Sequence, residues 1–97
     1  GDHSDRYDGG LYDKERFAKE LISEFPAELI PFYLERIEDN IFTKTRDGYN
    51  KAAEYAKILK QIYVKELKQE PKWQEWIGTI RNKYQKRPAL LDEFKSL

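Results

Sequence analysis

The chain has 97 residues, 18 basic and 18 acidic side chains and no net charge; 37% of its residues are charged, and it contains neither cysteine nor methionine. That length fits one domain, and the lack of cysteine excludes a disulfide framework and a thiolate metal site. No apolar run approaches the ~18 residues that would suggest a membrane span and no signal-peptide pattern opens the chain, so a cytoplasmic protein without membrane contact is expected. Because the sequence starts at Gly1 and lacks methionine, Gly1 reads as a scar of tag removal and the chain as a domain excised from a larger protein. Residues 1–48 hold 12 acidic and 7 basic side chains, residues 49–97 hold 6 and 11. This asymmetry points either to two halves that attract across helix interfaces or to a nucleic-acid-binding half.

Residues 1–10 are polar and contain two consecutive glycines, the composition of a disordered tail; residues 11–97 form the expected single helical domain. His3, the only histidine, lies in that tail without a preorganised set of ligands. A first helix is predicted from Leu11 to Glu24, with Leu11, Ala18, Leu21, Ile22 and Phe25 on one face, Phe17 at its edge and Pro26 as its end. The second, from Pro26 or Glu28 to Thr43, places Ile30, Tyr33, Leu34, Ile37, Ile41 and Phe42 inward. Pro31 lies within that span, marking either its true start or a kink.

Asp47-Gly48 reads as a turn before the most regular segment of the chain, Tyr49 to Leu67. There Ala52, Ala56, Leu59, Ile62, Tyr63 and Leu67 follow the i, i+3/i+4, i+7 rule. With its alanines at one end and larger residues at the other, this helix should pack tightly near Ala52 and splay toward Leu67. Pro71 is expected to close it, because a proline biases the residue before it away from the helical region. A fourth helix, Lys72 to Gln85, carries Trp73, Trp76, Ile77, Ile80 and Tyr84, and its interior Gly78 is expected to allow close contact with another helix. A short last helix from Pro88 to Lys95 uses Pro88 as its first residue and should bury Leu90, Leu91 and Phe94, with Leu97 beside them. The fold class is therefore all-α: stacked helical hairpins, four main helices plus a short C-terminal one. Gly48-Tyr49-x-x-Ala52, with Tyr55 and Ala56 following, resembles the second helix of a tetratricopeptide repeat, without a second copy at the 34-residue period.

Chemistry-bearing groups are sparse. Glu35, Glu38 and Asp39 lie close together, and Glu35 and Asp39 are i, i+4 neighbours that could act as acid and base or bind a divalent cation. No Glu-x-x-His pair accompanies them, as a di-metal helical bundle would require, so a solvated face is the simpler reading. No Gly-rich phosphate loop is present, and Ser4, Ser23 and Ser96 lack a nucleophile's setting. No enzyme, no catalytic residue, no metal site and no cofactor are expected within this fragment. Arg81, Lys83, Lys86 and Arg87 cluster around Tyr84 and could hold nucleic acid by phosphate contact and stacking; alternatively they complement the dipole at a helix C-terminus.

The C-terminal half carries a family resemblance. Tyr49 to Tyr63, then Trp73-Gln-Glu-Trp-Ile, then Ile80-Arg-Asn-Lys-Tyr-Gln-Lys-Arg-Pro-Ala-Leu-Leu-Asp-Glu-Phe, resemble the end of bacterial SWIM zinc-finger proteins across residues 49–97. That family's zinc finger uses a Cys-x-Cys…Cys-x-His set; this chain has no cysteine, so any zinc site would lie upstream. The resemblance implies a helical appendage to a protein working in a nucleic-acid or protein-interaction context. The expected function is a non-catalytic helical interaction or scaffold module for a protein partner or other domains of the parent chain. The alternative is an accessory nucleic-acid-binding module using Arg81, Lys83, Lys86 and Arg87.

Overall fold

The computed structural model describes residues 16–97, which are helical throughout apart from short connections. Helix α1 covers 16–21 of the described residues, and a turn over 22–25 leads into α2, Pro26–Phe42. The expected tail and the expected start of the first helix lie outside the described residues. Pro26 occupies the first turn of α2, where a missing amide hydrogen costs nothing. The helix runs through Pro31 without ending. The acceptor left without its donor there is the carbonyl of Ala27, an exposed residue that water can reach.

Helix α2 ends at Thr43, followed by Lys44 in the left-handed region at φ 57°. The Thr43 hydroxyl donates to the Asn40 carbonyl at 2.7 Å, and the Thr45 hydroxyl accepts from the Gly48 amide at 3.0 Å. Thr45 is thus the N-cap of α3, Arg46–Gln61. The central helix starts three residues earlier than its apolar pattern predicts, and Asp47-Gly48 is its first turn rather than a preceding loop. Gly48 is buried, and a Cβ placed on it would lie 2.5 Å from the Asn40 carbonyl oxygen. Its lack of a side chain permits two helix ends to approach.

The main packing is α2 against α3. Tyr33, Ile37 and Ile41 of α2 share one core with Ala52, Ala53, Ala56 and Leu59 of α3, large side chains from one helix joining small ones from the other. The close approach at Gly48 agrees with tight packing near Ala52. After Gln61 the α-helix widens into a π turn, Ile62–Glu66, in which the Leu67 amide donates to the Ile62 carbonyl at 2.9 Å. Lys68, at φ 54°, then turns the chain. The helix is closed by this π turn and left-handed residue, while Pro71 lies in the first turn of the next helix, α4, Glu70–Lys83. Helix α4 buries Trp73, Ile77 and Ile80 and meets the π turn. Gly78 faces open space, with no atom within 4 Å of a Cβ built there, so it makes no helix contact.

Helix α5, Pro88–Phe94, returns onto α3 and buries Leu90 and Phe94 completely. Seven residues cannot hold a helix unaided, and α5 is tied down by side-chain bonds along its C-terminal half. Arg46 bonds Asp92 and, at 2.8 Å, Glu93, while the Asn50 amide donates to Glu93 at 3.0 Å. Just beyond them Lys60 Nζ donates to the Leu97 carbonyl and Arg81 to the Phe94 carbonyl, cations against the negative end of a helix. Hydrogen bonding to Arg46 lowers the Asp92 pKa and raises that of Arg46. Among the described residues this attraction between the halves runs opposite to their net charges: a cation of the acidic half pairs with carboxylates of the basic half.

Candidate interaction surface

Of the four basic residues singled out near the C-terminus, two share a site. Lys83 Nζ lies 5.3 Å and Arg87 Cζ 5.1 Å from the centre of the Tyr84 ring, both within cation–π range. Arg81 is engaged elsewhere, donating to the Phe94 carbonyl at 3.3 Å, and Lys86 is exposed. Lys83, Tyr84 and Arg87 wall a groove of about 420 Å³, closed on the other side by the end of α2 with Phe42 and Lys44. Phe42, expected in the core, is 81% exposed. Ile37 and Ile41, one turn apart, occupy the seam with α3; Phe42, about 100° further round, points off it. Glu38 and Asp39 also line this groove, so its floor of aromatic rings has carboxylates as well as cations on its rim.

The acidic trio is divided among surfaces. Glu35 borders a second groove, about 480 Å³, formed by Phe17, Leu21, Leu29, Phe32 and Arg36 between α1 and α2. Phe17, expected at the edge of the apolar face, is 61% exposed, and Phe25, expected on that face, is 49% exposed: Ala18 takes the buried position in α1, and Phe25 sits in the connecting turn. A third groove, about 700 Å³, runs between α1, α2 and α3, with Lys19, Arg36, Lys51 and Lys57 among its walls. Among the described residues no three His, Cys, Asp or Glu side chains are placed to hold a metal ion, and no helix is long and apolar enough to cross a membrane. Arg36, common to the second and third grooves, was not singled out by its sequence pattern. Its local signal is Phe32 one turn earlier, over whose ring the guanidinium lies at 5.1 Å.

The described residues form a helical array whose surface includes grooves of mixed apolar and charged lining. Over 77 residues, 79% of its length, the chain is 34% identical to the uncharacterized protein YwqB of Bacillus subtilis (strain 168). The match spans 14% of that protein's length. No protein-family description matches the chain, and no solved structure does.

Proposed function

We propose that this chain is a non-catalytic helical interaction module of a larger protein and that its Phe42–Tyr84 groove receives a polypeptide, either a separate protein or another domain of the parent chain. The observation carrying this reading is the exposure of Phe42, 81% of whose surface meets water. Burying such a side chain is worth roughly 1.5–3 kcal/mol; a partner that covers it recovers that energy. Lys44, on the same groove, adopts the left-handed region, at a cost of roughly 1–2 kcal/mol that glycine would avoid. Its side chain stands on the wall of the groove, where a partner would meet a cation. Aromatic residues and arginine are also the types enriched at interface centres, and Tyr84 and Arg87 stand there beside Phe42. The resemblance of residues 49–97 to the end of SWIM zinc-finger proteins supports a parent of that type, with any zinc held outside this chain. A match covering 14% of a longer relative is compatible with an appendage. The module works in the cytoplasm, away from membrane and without a cofactor of its own.

A second reading, nucleic-acid binding, has support in Lys83 and Arg87 over the Tyr84 ring with Lys86 exposed beside them. Glu38 and Asp39 on the same groove oppose phosphate, which ranks it below the first. Replacing Phe42 by a photo-crosslinking phenylalanine analogue separates the two. A crosslink to one polypeptide, competed by excess unmodified chain, supports the protein reading. A nuclease-sensitive product supports the second, and no specific product refutes both.

A further inference from the structure

Arg36 lies where two grooves meet. Among the described residues no carboxylate pairs with it, and its Nε–H is shielded from water without a hydrogen-bond acceptor. Its polar partner is the Phe32 ring, 5.1 Å from the guanidinium carbon. A half-buried arginine in that condition has lost hydration without gaining a carboxylate, an arrangement that is costly until an acid arrives. The guanidinium edge left accessible is a planar fork matched to a carboxylate.

The grooves on either side differ in chemistry. One is apolar, with Leu21, Leu29, Phe32 and the exposed Phe17. The other adds Lys19, Lys51 and Lys57 to Arg36, four cations against the two carboxylates of Asp39 and Glu54, with Lys51 also 3.6 Å from Asp47 on its own helix. Their volumes, about 480 and 700 Å³, are those of binding clefts. We propose that this double groove docks an acidic, amphipathic peptide segment of a partner protein. An apolar side chain sits against Leu29 and Phe32, and the carboxylates that follow it reach Arg36 and the lysines. Glu35 fixes the direction: it borders the apolar groove and repels an acid there, so the acidic flank of the peptide lies on the α3 side. The apolar groove favours a peptide over nucleic acid, because it seats an apolar side chain next to the cations and offers a phosphate nothing.

This proposal rests on the interaction reading above but uses a different groove, so the two can fail separately. A fluorescein-labelled peptide in which Leu-Phe is followed by a run of aspartates, titrated with the full chain, tests it by anisotropy. The expected result is saturable binding that weakens with salt. Arg36→Gln should weaken it about tenfold or more, as loss of a charge-assisted hydrogen bond predicts, with Arg36→Lys in between. Phe17→Ser, at an exposed position, should weaken it severalfold while leaving the circular dichroism unchanged. No binding by the wild-type chain, or binding indifferent to Arg36→Gln and Phe17→Ser, overturns the proposal. So does Arg36-dependent binding of single-stranded DNA tighter than that of the peptide, or an Arg36-dependent dimer without peptide, which would seat a second copy in the groove. If peptide binding fails while the Phe42 crosslink persists, the interaction reading stands and only this site is lost.

Discussion

Two glycines on successive helices provide opposed controls for the packing of this chain. In Gly48→Ala the new methyl would lie 2.5 Å from the Asn40 carbonyl oxygen and would overlap the Thr43 hydroxyl, distances that folded proteins do not tolerate. The Thr43 hydroxyl can rotate away only by giving up its bond to the Asn40 carbonyl and its 3.0 Å contact with the Thr45 hydroxyl. Asn40 is backbone within α2 and yields only if the helix end moves, disturbing the Thr45 cap on Gly48. Overpacking contributes about 1–3 kcal/mol and a weakened cap about 1 kcal/mol, against a helix-propensity gain of about 1 kcal/mol for alanine. Adding about 1 kcal/mol for the displaced hydroxyl, the net destabilisation is roughly 2–4 kcal/mol. At about 4–8 °C per kcal/mol for a domain of this size, Tm falls by roughly 10–30 °C. Gly78→Ala meets nothing and should raise stability by about 0.5–1 kcal/mol. Thermal and urea unfolding followed by circular dichroism at one pH measures both. An unchanged or raised Tm for Gly48→Ala would refute the close approach of α3 to the end of α2.

Ala56 is completely buried at the α2–α3 seam, so Ala56→Trp should destabilise by at least the 1–3 kcal/mol of ordinary overpacking; an unchanged urea midpoint would contradict that placement. Truncation after Arg87 removes Leu90 and Phe94, both fully buried, at roughly 1.5–3 kcal/mol each. The shortened chain should therefore lose about 3–6 kcal/mol of a typical 5–15 kcal/mol, visible as a transition at much lower temperature and urea. Because the Asp92 pKa is lowered in the folded state, its ionised form stabilises the fold above the ordinary value of 3.8, and that contribution is lost as pH falls below it toward the folded pKa. Arg46→Gln should accordingly melt below wild type at neutral pH, with the gap closing in strong acid and narrowing in high salt. A gap independent of pH would mean that Arg46 acts through packing instead.

The apolar face of the central helix was legible because it is a local property. Ala52, Ala56, Leu59 and Ile62 repeat with the helical period and all are buried. So was the docked C-terminal helix, since Pro88 and the spacing of Leu90 and Phe94 are contained in seven residues. The close contact falls at Gly48 and not at Gly78, because whether a methyl fits depends on what another helix brings to that point, which residues i±4 do not encode. Phe42 matches the period of its helix but falls one residue past the seam. The run from Arg81 to Arg87 looked like one basic patch, yet Arg81 and Lys83 are about 200° apart around a helix, and the chain turns after Lys83. The third groove joins Lys19, Arg36 and Lys51 from three helices, a juxtaposition that only the tertiary fold creates.

The π turn at Ile62–Glu66 has a consequence for length variation among related chains. A π turn holds one residue more than the α turn it replaces, and here it sets Leu67 directly above Ile62 through the amide–carbonyl bond between them. Deleting one residue inside this turn would let an ordinary α turn make the equivalent bond, leaving the entry to α4 where it is. The same deletion between Ala52 and Lys60 would rotate everything beyond it by about 100° and carry Leu59 and Ile62 out of the core. Tolerance of a one-residue deletion is thus concentrated in five residues of an otherwise phase-locked rod. Alignments of homologous chains should place their single-residue gaps there.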